Sequence, residues 1–142
     1  MALVARRPAR GIQTALYQRL SADTELEALG APVLDYVDEH TRPRRYITIG
    51  EISTESPDNA HDMLGLATTV YVHVWDVDGR TWDWPNDVAD RVVQLVDHQP
   101  MTVPGHHVIS VRFEFSQNIP DEDESRHVPI RFRITTETDQ EA

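Results

Sequence analysis

Seven histidines, 24 acidic side chains and three tryptophans are the residues of this chain with chemistry to offer, and their spacing decides what they can do. A metal ion needs ligands that converge. His106-His107 is the one adjacent histidine pair and His61-Asp62 the best imidazole–carboxylate neighbours, yet adjacent residues on a strand point to opposite faces. Neither a His-x-x-x-His helix pair nor a His-x-His strand pair occurs, so no metal is expected. Nucleophilic chemistry fares no better. There is no cysteine and no G-x-S-x-G elbow, and the six scattered glycines begin no phosphate-cradling loop. In a chain with this many carboxylates, pairs of them can be assembled almost anywhere, which makes them uninformative about acid–base catalysis. The expectation is a protein without catalytic residues or cofactor.

Binding is the chemistry left. Trp75, Trp82 and Trp84 can be core residues with partnered indole N–H groups or exposed anchors for protein contact. Both readings stay open, with Trp75 assigned to core or interface because it shares a strand face with Tyr71 and His73. The basic segment around Arg42, Arg44 and Arg45 is either a solvated loop or the counterpart of an acidic neighbour in an assembly. Asp58, His61 and Asp62 fall in a polar connection, Ser53 to Met63, long enough to be a contact loop. Asp121, Glu122, Asp123 and Glu124 repel one another and form a solvated tip.

The elements that must hold these residues are legible from hydrophobic period. Leu66 to Val77 is the central strand: Val70, Val72 and Val74 line one face and Tyr71, His73 and Trp75 the other. Helices are expected on the valine face, and solvent, a loop or another copy of the protein on the aromatic face. Ile12, Ala15, Leu16 and Leu20 mark a first helix from Gly11, and Ser21 is the expected cap of a short second one that Gly30 ends. Val33 to Val37 alternates as a short strand, and Tyr46 to Ile52 is β-rich, with Gly50 at a bulge or close approach. Asp78-Gly79 turns the chain. Asp83 then caps a helix whose buried stripe is Val88, Val92, Leu95 and Val96. Two long strands finish the chain, one with Ile109, Val111, Phe113 and Phe115 on its core face, the other with Val128, Ile130, Phe132 and Ile134.

A chain of 142 residues is expected to form one domain. Residues 1–10 read as a flexible arm, 11–137 as a single α+β domain and 138–142 as a polar tail. The fold class is α+β, a mainly antiparallel sheet with two main helices packed on one face. The absence of a signal-like apolar start or a run of about 20 apolar residues points to a soluble protein. A formal charge of −11 argues against a surface that grips phosphate, and suits either solubility or a wall that DNA passes without sticking.

Taken in order, Ala15-Leu16-Tyr17, Leu20-Ser21-Ala22-Asp23, Tyr46-Ile47-Thr48-Ile49-Gly50-Glu51, Val72-His73-Val74-Trp75, Val108 to Phe115 and Ile130-Arg131-Phe132-Arg133-Ile134 form a sequence of fragments that resembles the tail-completion, or tail-terminator, family of long-tailed bacteriophages. The resemblance covers about residues 11 to 137. It departs at Asp76 to Pro85, where Trp82 and Trp84 replace a simple glycine turn, and at the arginine-bearing arm. It implies a ring-forming subunit, usually one of six, that caps the last ring of the tail tube. Its implied partners are further copies of itself, the tail tube protein and a head–tail connector or stopper protein. DNA would pass through without specific binding, no membrane is involved, and the product of host-cytoplasm synthesis would end in the virion. The alternatives are another neck or tube component of related fold, or a small cytosolic ligand-binding domain with a pocket under Trp75.

Overall fold

Ile12, Leu16 and Leu20 recur at helical spacing and are fully buried, which fixes how the first helix, α1 (Ala9–Ser21), lies on the sheet. A computed structural model describes residues 5–38, 40–56, 65–121 and 125–139 of the protein. α1 begins two residues before Gly11, inside the stretch assigned to an arm, and the Arg6 backbone N–H donates to the Thr138 hydroxyl at 3.3 Å. The second helix, α2 (Thr24–Ala28), is capped by Asp23 and not by Ser21: the Asp23 carboxylate accepts the Leu26 N–H at 3.0 Å. Gly30 ends this helix with φ +70°, a conformation that costs a residue without a Cβ little. The Pro32 carbonyl then accepts the Ile47 N–H at 2.8 Å, which sets the next strand beside its partner.

That strand, β1 (Val33–Leu34), is two residues long where alternation predicts five, and it pairs in parallel with β2 (Arg45–Glu55). β2 runs antiparallel to β3 (Gly65–Asp76) and carries a bulge between Gly50 and Ser53, where Glu51 takes the positive φ of 48°. The strand continues past Ser53 to Glu55, with the Thr54 and Thr68 hydroxyls 3.0 Å apart across the pair. Ser53 to Glu55 therefore belong to the sheet and not to the polar connection.

After β3, the Asp78-Gly79 turn leads into α3 (Asp83–Val96), which starts one residue earlier than a cap at Asp83 would place it. Its Val88, Val92 and Val96 are fully buried against Val70, Val72, Val74, Ile130, Phe132 and Ile134. β4 (His106–Ser116), β5 (Ile119–Pro120) and β6 (Arg126–Thr138) complete the sheet, in the order β1-β2-β3-β6-β4 with β5 also on β6. The class is α+β as expected. The helices number three, and only the β1–β2 pair is parallel among the described residues.

β4 is where alternation misleads. Its register against β6 shifts between Val108 and Ser110 and again between Phe113 and Phe115. Of the four side chains expected on the core face, only Val111 is buried, while Ile109, Phe113 and Phe115 are 50%, 37% and 39% exposed. Phe113 faces Phe132 on the helix side, whereas the second bulge turns Phe115 toward Arg131 on the opposite face.

Candidate functional site

Helices cover one face of the sheet, so the face bearing Tyr71, His73 and Trp75 is where the chain can present something. Trp75 stacks on His127 with ring centroids 3.7 Å apart and planes inclined by 5°, and its indole N–H donates to the Thr48 hydroxyl at 3.1 Å. Tyr46 extends the stack on one side of Trp75, and His73 and Tyr71 on the other. The Tyr71 hydroxyl accepts from Arg131 at 3.5 Å, and Arg131 reaches Glu114 at 3.4 Å. These rings support one another, and the surface they make is a firm floor and not a cleft.

His127 was not among the expected residues. Its position two residues before Pro129 on the outward alternation of β6 places it directly opposite Trp75, a signal visible only once the pairing register is known. His73 Nδ1 and His127 Nε2 lie 2.7 Å apart, close enough to share one proton between two neutral rings. Beyond them, Glu51 lies 3.5 Å from His73 and Asp121 4.0 Å from His127. Burial holds His73 below the usual imidazole pKa despite the opposing pull of Glu51. Burial, and then the charge His73 would carry, push His127 down to about 4. Only 11% and 13% of these two side chains is exposed, so an incoming molecule meets little of either ring.

The other expected site residues fall elsewhere. Trp84 is 8% exposed, donates its N–H to the Leu29 carbonyl at 2.6 Å and lies under the Arg45 guanidinium, which makes it part of the core. Trp82 is half-buried beneath Arg126. Arg44 and Arg45 both pair with the 2% exposed carboxylate of Asp76, at 3.2 and 3.4 Å. Arg44 and Arg45 are thus partnered within the chain, and the pairs compensate a carboxylate that would be costly to bury alone. Arg42 is half-buried in the loop before them. Asp121 lies just outside β6, its N–H donating to the Ser125 carbonyl at 2.9 Å. Asp58, His61, Asp62, Glu122, Asp123 and Glu124 lie outside the described residues.

Among the described residues no group of three or more His, Asp or Glu side chains is placed to hold a metal, and no helix is long and apolar enough to cross a membrane. The sheet is thus screened by helices on one side, with a self-stacked aromatic floor on the other and apolar side chains left at its margin. A sequence-family profile described as "Tail completion protein gp17" matches residues 14–137, and the chain belongs to that family of virion tail proteins. Its role is structural, in completing a phage tail. Solved structures share the fold, two of them from a virion and a phage. A protein in the virion of the native gene transfer agent particle is 21% identical, with a TM-score of 0.80 over 94% of this chain and 99% of that one. The gp17 protein of bacteriophage SPP1 is 22% identical, with a TM-score of 0.64 over 95% of this chain and 96% of that one. No curated protein sequence matches the chain.

Proposed function

We propose that copies of this chain close into a ring of six on the last ring of a tail tube, stop the tube growing, and offer the other side of the ring to the head connector. Contact alone does this work, with no catalytic step. The observation that carries the reading is where the chain leaves the sheet. The β2–β3 connection departs beside the Gly65–Glu137 pair, whereas the acidic segment enters β6 beside the Asp76–Arg126 pair, at the far end of β3. Those ends are separated by the 12 residues of β3, roughly 40 Å of extended chain. A subunit with polar connections at two opposite ends has one end for each of two stacked neighbours. Asp58, His61 and Asp62 belong to the first connection, and Asp121, Glu122, Asp123 and Glu124 to the second.

The net charge of −11 supports a passage that DNA crosses without adhering, since a like-charged wall repels phosphate. Deletion of the gene tests the reading. Loss of a terminator is expected to leave tails of irregular length in electron micrographs, whereas an absence of tails would indicate a tube subunit and tails of normal length would overturn the proposal.

A further inference from the structure

The large apolar side chains that the fold leaves exposed are Tyr17, Tyr36, Ile109, Phe113 and Phe115 among the described residues. Their distribution is uneven. Ile109, Phe113 and Phe115 are on β4, one edge of the sheet, and Tyr36 follows β1, the opposite edge. Tyr17 of α1 joins Leu34 and Ile49 at that second edge to line a groove of about 430 Å³. Of these, Phe115 turns to the aromatic face, beside Arg131. An apolar patch at each of two opposite edges is what a head-to-tail contact between identical copies requires, because each copy must offer two different surfaces.

From this placement we infer that neighbouring copies join edge to edge, with Ile109, Phe113 and Phe115 of one copy seated on the Tyr17, Leu34 and Tyr36 edge of the next. This rests on the ring reading above and names the surfaces that close it. Charge agrees with the assignment. Arg112, between the apolar residues of β4, and Asp35, between Leu34 and Tyr36, are exposed and form no ion pair among the described residues, so the two can face each other across the contact, with Arg10 also lining the Asp35 groove. The contact is made by side chains and is not an extension of the β-ladder. The outer edge of β4 is occupied at its middle: the Val111 carbonyl accepts the His98 N–H at 2.9 Å, and the Phe113 N–H donates to the Asp97 carboxylate at 2.8 Å. The occupant is a second copy, since one partner of another kind would need only one of the two patches.

The absence of cysteine makes the test direct. A chain carrying both Ile109→Cys and Tyr36→Cys, treated with a short bis-maleimide in the presence of tail tubes, is expected to give a ladder of covalent products up to a closed ring, while each single-cysteine chain stops at dimer. Arg112→Asp is expected to cut the yield of rings roughly tenfold, and adding Asp35→Arg to the same chain to restore it. Both positions are exposed, and unchanged thermal unfolding of the variants confirms that the fold is kept. If the double-cysteine chain gives no ladder while the unmodified protein still caps tubes, the edges are not the contact and the terminator reading survives. Conversely, a ladder from a protein that leaves tubes uncapped upholds the edge contact and removes that reading.

Discussion

His73 and His127 lie within hydrogen-bond distance of each other on the half-open side of the sheet, with Glu51 and Asp121 at the two ends of the row. Both imidazoles titrate below their unfolded value, so between about pH 6.5 and 4 the unfolded chain binds more protons than the folded one. The stability contributed by the neutral pair is complete above the unfolded pKa and falls away as pH drops toward the folded values. A depression of the size seen for His127 is worth roughly 3 kcal/mol undamped. Solvent at the open rim of the rings reduces the expected loss to about 1–2 kcal/mol. Thermal unfolding should thus occur at lower temperature near pH 5 than at neutral pH, and His127→Gln should remove most of that difference. An equal pH dependence in the variant would show that the pair is not its source. Asp23 belongs to the same scale, because it caps α2 and holds Arg91 at 2.7 Å. Asp23→Ala is expected to cost about 1 kcal/mol through the lost cap, measured by urea unfolding.

At the scale of elements, the sequence is explicit wherever period and burial agree. α3 and β3 are amphipathic at unambiguous spacings: Val88, Val92 and Val96, and Val70, Val72 and Val74, are fully buried as the pattern predicts, while Leu95 is half-buried and Trp84 and Ala89 join the core beside them. β4 is written in the same alternating code, but its two bulges and its place at the sheet edge redirect Ile109 and Phe115, and nothing local in the sequence announces either. The Arg44 and Arg45 pairs with Asp76 were hidden for a different reason. They join positions more than thirty residues apart, and no periodicity encodes such a contact. The aromatic floor was half legible: Tyr71, His73 and Trp75 follow from strand geometry, whereas His127 and Tyr46 enter only through register. The turn after β3 shows how tightly that register is held. A Cβ on Gly79 would lie 2.7 Å from the Asp76 carboxylate, which Arg44 and Arg45 fix in place, and 2.9 Å from Arg126. Gly79→Ala should therefore destabilise the fold by about 1–3 kcal/mol, read as a lower urea midpoint with an unchanged slope.

At the scale of the whole molecule, the sequence carries the four consecutive acids Asp121, Glu122, Asp123 and Glu124 just before β6, which begins at one end of the sheet. If that end borders the path of DNA, replacing all four by lysine introduces a basic collar that phosphate would adhere to. The expected result is slower DNA ejection or packaging, measured on purified particles. Unchanged infectivity would assign the acids to the outer surface.

The seal on β4, where Asp97 and His98 occupy the backbone groups of Phe113 and Val111, also governs what happens before any tail exists. An uncovered strand margin lets unassembled copies stack on one another indefinitely. Here that margin is interrupted at its midpoint, so the β4 edge gives surplus protein no continuous backbone template on which to grow fibres.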